Sequence, residues 1–400
     1  MNKKGRNGIR KRILIISAIC VVVLTAEIAL LAGVSRMGKK SKKNTPSPTN
    51  VTATPKAEPT VEPTETPAEP GDIPGESLVT VWRETEQVFK YWFNGVPTEY
   101  RLYTSEYDRD GNLLQRTRFE EDGTVAQSMK WGGYEAYHPA WRESFDSAGT
   151  QTQRIDYTYY ENGLLKEEKV LQKDSDYSYK TLYQYDENKR VIREEDYGGE
   201  PSVLIYAIDY EYNEKGLRAA SVWTNQSGEK TTVIRYTYDG AGRLTDEITL
   251  NGDETRVEST HRIRYDEKGR KAEETYSIRD EFLTWREWFE YDEEGRVTAD
   301  IIDTSPEKPE IPYTDRYEFT YGTNGRLIRK VLLEYQEGTV TTTSDICHDY
   351  DGNGCLIREE SRDEEGNVLK ETFYSYQSFE VPYETLSEEE KEWYEREKMR

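Results

Sequence analysis

Apolar and polar positions alternate along most of this chain with period two. Between Val233 and Tyr238, Ile234, Tyr236 and Tyr238 fall on one side and Arg235 and Thr237 on the other. That is the pattern of a strand whose side chains point alternately to opposite faces. The turn Asp239-Gly-Ala-Gly242 follows. Its aspartate is suited to bond amides two residues on, and its last glycine to a positive φ. Leu244 to Leu250 alternates again, with Leu244, Ile248 and Leu250 opposite Thr245, Glu247 and Thr249. Asn251-Gly252 then predicts a tight two-residue turn. One unit reads as one β-hairpin.

The unit recurs. Its second tyrosine falls at Tyr159, Tyr185, Tyr212, Tyr238, Tyr265, Tyr291, Tyr321, Tyr350 and Tyr376, in steps of 26, 27, 26, 27, 26, 30, 29 and 26, with an earlier copy at Tyr107. The turn glycine is kept at Gly242, Gly269, Gly295, Gly325 and Gly354. A fixed period of this size marks a stacked repeat architecture. The prediction is an all-β fold of tandem hairpins forming a long coiled or shell-like antiparallel sheet. Ten hairpins make about twenty strands, a flat width near 100 Å that strand twist forbids. The tyrosine face is expected on the inside, rings packed across strands and hydroxyls kept wet.

Tyr236-Thr-Tyr-Asp-Gly-Ala-Gly-Arg-Leu244, Phe289-Glu-Tyr-Asp-Glu-Glu-Gly-Arg-Val297 and Ile263-Arg-Tyr-Asp-Glu-Lys-Gly-Arg-Lys271 carry a resemblance. The motif is similar to that of the RHS/YD-repeat family of bacterial surface and wall-associated proteins, over roughly residues 100 to 376. Lys189 departs from it in place of the turn glycine, and Asn213 and Gly322 in place of the aspartate. Large members of that family wind a shell around a toxin. This chain contains no Asp-Pro dipeptide, so it lacks their self-cleaving core motif, and the toxin role does not transfer. Tyr159-Tyr-Glu-Asn-Gly-Leu-Leu165 also resembles the MORN-like antitoxin repeats.

The ends read differently. Residues 1–12 are basic, and Ile13 to Val34 is apolar with one charge, Glu27. That predicts a transmembrane helix over 13–35 acting as a signal anchor, with a cleaved secretion signal as the alternative. Residues 36–75 hold a basic stop and a Thr/Pro-rich spacer, extended and without regular structure. A YD-repeat β domain fills 76–385. Residues 386–400 predict a short capping helix, opened by a capping box at Ser387 and Glu390. The expected localisation is the cell membrane, single-pass, with the C-terminal domain outside the cytoplasm. A cytosolic, antitoxin-like protein is the alternative.

Charge sharpens this picture. Net charge is −23. Residues 1–43 hold eleven bases and one acid, leaving 43 bases against 76 acids, or −33, in the remainder. Such a domain repels nucleic acid and anionic lipid. The expected partners are the membrane, through the single N-terminal span, and a cell-wall glycan or surface protein.

Two segments stand out as candidate sites. Trp131, Tyr134, Tyr137 and Trp141 crowd a stretch where a repeat is broken, and such aromatics suit stacking on a sugar or peptide. Asp349, Asp351, Asn353 and Glu360 fit a calcium-loop spacing, which the repeat turn equally explains. Cys347 and Cys355 are placed on opposite strand faces about 10 Å apart, too far for a disulfide. No catalytic motif is present and no cofactor is implied. The chain reads as a non-catalytic structural or adhesive module, with glycan or peptide binding through exposed aromatics as the alternative.

Overall fold

Twenty-two antiparallel strands form one sheet that closes on itself. Strand β1 (Leu78–Phe93) pairs with β2 (Val96–Tyr107) along one edge and with β22 (Val368–Pro382) along the other. The strands between pair each with its sequence neighbours. This is a computed structural model, and it describes residues 78–173, 178–199, 201–279, 282–304, 306, 313–336 and 339–398.

A device that favours closure recurs at nine repeat turns. At the repeat turn Tyr238 pairs with Leu244 while Thr237 pairs with Asp246, so Thr245 is an extra, bulged residue. The same offset recurs at Tyr107, Tyr159, Tyr185, Tyr212, Tyr265, Tyr291, Tyr321 and Tyr350. A bulge bends its strand and increases local twist. Placed at the same end of successive hairpins, it supplies the curvature that a closed sheet needs.

The two faces differ in chemistry. Tyr236, Glu247, His261, Tyr276 and Trp285 lie directly opposite one another across successive strands. Asp246, Arg262, Thr275, Arg286 and Asp303 form a row on the other face. On the tyrosine face, burial drives Glu247, Asp300 and Asp315 up, and Lys330 and His348 down. On the other face Arg264 keeps 75% of its side chain in water beside Glu273. Mid-strand positions of that other face are buried too, among them Ala220, Val233, Thr260 and Ala299. Twenty-two strands at about 4.8 Å give a girth of about 105 Å, wider inside than side chains fill.

A buried apolar cluster lies at the seam. Val79, Val81, Phe379 and Val381 of β1 and β22 pack with Leu386, Tyr107, Tyr383 and Tyr394. Helix α1 (Glu388–Lys398) docks there, with Tyr394 edge-on to Tyr383 at 5.8 Å. Ser387 and Glu390 cap it reciprocally: the Ser387 amide donates to Glu390 Oε2 at 2.9 Å and the Glu390 amide to Ser387 Oγ at 3.2 Å.

Several sequence expectations are corrected. The sheet is not an open coil or shell: β22 returns to β1 from Leu78↔Pro382 to Tyr91↔Lys370, removing both free edges, which an exposed sheet of this length otherwise presents for aggregation. The transmembrane helix expected over 13–35 lies outside the described residues, and among those no helix is long and apolar enough to cross a membrane. Helix α1 is highly charged and about 16 Å long, half a bilayer core. The architecture of the described residues is a barrel. The signal anchor, the single-span membrane partner and the single-pass cell-membrane localisation are therefore withdrawn. Asn251-Gly252 is not a two-residue turn either: the Asn251 amide donates to Arg256 O at 3.0 Å and Glu254 takes φ 59°. Gly252 lies so close to the Lys230 carbonyl that a Cβ would collide with it.

Candidate functional site

The repeat turns are joined to one another along one rim. In the Tyr238 unit the Asp239 carboxylate accepts from the Ala241 and Arg243 amides at 2.9 and 3.0 Å, and its second oxygen accepts from Arg243 Nε at 2.7 Å. These bonds hold Asp239 below the usual carboxylate range. Arg243 in turn covers the ring of Tyr265, one repeat on, at 4.4 Å. Arg190 on Tyr212, Arg270 on Tyr291 and Arg296 on Tyr321 repeat the stack at 4.3, 4.3 and 4.9 Å.

The tyrosine hydroxyl completes the link. Tyr238 donates to Arg218 O at 2.8 Å, Tyr265 to Leu244 O at 3.0 Å and Tyr321 to Val297 O at 2.8 Å. Each acceptor begins the second strand of the preceding unit. Gly269 needs its positive φ of 83° and also lacks room for a Cβ, because Arg243 lies against it. Aspartate, glycine, arginine and tyrosine are thus one ligature between neighbouring hairpins.

On the tyrosine face lies a patch of carboxyls. Glu287 of β16 (Phe282–Tyr291) and Asp300 of β17 (Val297–Asp303) are diagonal neighbours on the tyrosine face. Burial first, then the charge of Asp300, push Glu287 up to about 8, and burial raises Asp300 as well. Around them stand Lys271 and Glu274 of β15 (Lys271–Ile278), Asp315 of β18 (Tyr313–Tyr321) and Lys330 of β19 (Leu327–Gln336). The sequence hid this patch, because carboxylates are numerous everywhere; only strand parity marks which ones share the tyrosine face.

The broken repeat keeps the ligature by other means. Between β4 (Val125–Gly132) and β5 (Trp141–Phe145), Glu135 and His138 form a bridge. Tyr134 donates to Leu113 O at 2.6 Å, the bond a repeat tyrosine makes, and burial raises its phenol to about 12. Trp141 packs on Gly132 and Gly133, with Arg154 over its ring at 5.2 Å. Trp131 sits in β4 opposite Arg142, and Tyr137 takes φ 71°. All four aromatics are half-buried. The signal for Tyr134 was available: it lies 27 residues after Tyr107.

The calcium spacing is not assembled. Asp351 Oδ1 caps the amides of Asn353 and Cys355, both at 2.9 Å, and Asp349 meets Arg358 at 3.1 Å. The Glu360 carboxylate is held by Arg358 and Arg362. Among the described residues no group of three or more histidine, cysteine or acidic side chains is arranged to hold a metal. Cys347 and Cys355 are not joined in a disulfide.

At the seam end of the rim a cavity of about 640 Å³ opens between the last repeat turns and α1. Gly354, Cys355, Tyr376, Trp393, Glu389 and Arg326 are among its walls.

No family model and no curated protein matches the chain. Among solved structures, the crystal structure of TcdB2-TccC3-Cdc42 is similar over 72% of this chain at 11% identity and a TM-score of 0.28. The Photorhabdus luminescens Tc holotoxin pore, carrying the TccC3-D651A mutation, is similar over 68% at 13% and 0.24. A porin-like protein from Bacteroides uniformis is similar over 74% at 10% and 0.29. This chain spans 22% and 17% of the two toxin chains and 96% of the porin-like one. At these scores the likenesses establish no membership in the YD-repeat family. None of these scores carries a functional argument. The described residues make a closed antiparallel β-barrel.

Proposed function

We propose that this barrel is a non-catalytic structural and adhesive module with water on both faces, acting through its surfaces. The observation that carries the reading is charge in mid-strand on each face. Arg262 with Asp246 at 3.4 Å and Arg329 with Asp345 at 2.7 Å mark one; Glu247, Asp300 and Lys330 mark the other. A barrel turned to lipid needs an apolar outer band about 25 Å tall, and neither face has one.

The test places a fluorophore on each face in turn, at Thr275→Cys and at Tyr276→Cys, in a full chain whose native cysteines are serine, mixed with vesicles. Quenching by aqueous iodide and not by brominated lipid is expected. Quenching by the lipid overturns the reading. Strain in the broken repeat favours a second reading, as a glycan- or peptide-binding module. Ala136 and Tyr137 both adopt left-handed φ, a conformation that concentrates at binding sites. A glycan array is expected to show binding that Trp131→Ala with Trp141→Ala abolishes; no binding by the parent chain removes that reading.

A further inference from the structure

The rim cavity sits where the repeat ligature changes its chemistry. In four units the turn aspartate grips an arginine that covers the next tyrosine: Asp186, Asp239, Asp266 and Asp292 hold Arg190, Arg243, Arg270 and Arg296 at 2.5 to 2.7 Å. The last turn keeps Asp351 and Gly354 but has Cys355 in the arginine position, and the next tyrosine is Tyr376. Among the described residues no lysine or arginine stacks on Tyr376, while stacks form on Tyr212, Tyr265, Tyr291, Tyr321 and Tyr350.

Other turns without arginine are filled from within. Leu217 packs 3.6 Å from the position of a Gly242 Cβ, and Tyr160 meets Tyr185 edge-on at 6.1 Å. Asn112 bonds Asp108, and Arg83 reaches the Gly111 carbonyl. At Cys355 the side chain is short, and the cavity opens.

We propose that this cavity is a binding site for a guanidinium group from outside the barrel, carried by an arginine side chain or an arginine-derived amine. It stacks on Tyr376 near Asp351, as Arg243 stacks on Tyr265 beside Asp239. Glu389 lines the mouth with Arg326, and Glu390 there is already met by Arg83 at 3.2 Å. The acids nearest the ring favour a cation: after burial itself, the charge of Glu84 and, less strongly, that of Asp351 hold the Tyr376 phenol up. Trp393 on α1 adds a second ring, and the face of an aromatic ring attracts cations. Arg396 lines the same mouth and competes with the ligand.

Calorimetric titration of the full chain tests this with agmatine, with a Gly-Gly-Arg-Gly-Gly peptide, and with the same peptide carrying neutral citrulline. Saturable binding of at least one cationic ligand is expected, with a Kd on the order of 1 mM, and about tenfold or more weaker binding of citrulline. Tighter binding of the peptide than of agmatine points to a polypeptide source, and the reverse to a small amine. Cys355→Arg supplies the group in cis and is expected to weaken binding at least about tenfold while raising Tm, so lost binding is not misfolding. Arg396→Gln is expected to strengthen binding. No saturable signal at about 10 mM ligand, unchanged binding by Cys355→Arg, or weaker binding by Arg396→Gln overturns the proposal.

Discussion

At the scale of the residue, the ligature assigns separate energies to separate atoms. Tyr265→Phe removes only the hydroxyl bond to Leu244 O and keeps the ring beneath Arg243. It is expected to cost about 1 kcal/mol in denaturant unfolding. Gly269→Ala is expected to cost more, about 1–3 kcal/mol, because it strains a left-handed φ and meets Arg243. If the two costs are equal, the glycine serves the turn alone. The Glu287–Asp300 pair predicts a pH dependence. Glu287 ordinarily titrates near 4.5 and is raised to about 8 when folded, so between those values the folded state holds a proton that the unfolded state has lost. Its stabilising contribution is full below 4.5, declines as pH rises, and is gone above 8. Glu287→Gln is expected to leave Tm unchanged near pH 4 and to raise it at pH 9. An equal shift at both would assign the effect to packing.

At the scale of the element, α1 is held by few contacts on a short helix. An isolated helix of this length is marginal in water, so docking and the capping box hold it. Leu386, 4% exposed, joins it to the seam cluster. Leu386→Ala is expected to cost about 2–3 kcal/mol and to expose Trp393, read as a red shift of tryptophan emission. A cost below about 0.5 kcal/mol would mean that the helix is not docked in solution.

At the scale of the whole molecule, the decisive contact is between the first and last strands. Thr80 and Glu380 face each other across the β1–β22 seam, with Thr80 Oγ1 donating to Glu380 Oε1 at 2.6 Å. Facing residues of an antiparallel pair lie at disulfide distance. Thr80→Cys with Glu380→Cys is expected to oxidise to a species that migrates faster on a non-reducing gel. Failure to oxidise would leave the barrel open in solution.

The sequence by itself determined the strands, the face each tyrosine takes and the place of each repeat turn, because alternation and turn chemistry are local and act within a few residues. It also marked Ser387 and Glu390 as a cap for the same reason. It did not decide that the sheet closes, since pairing of Leu78 with Pro382 joins residues about three hundred positions apart and leaves no periodic trace. Nor did it separate Glu287 and Asp300 from dozens of other acids, or show that Tyr134 replaces a repeat tyrosine in an irregular loop. Desolvation and cross-strand reach are properties of the curved sheet, and only the tertiary structure brings those atoms together.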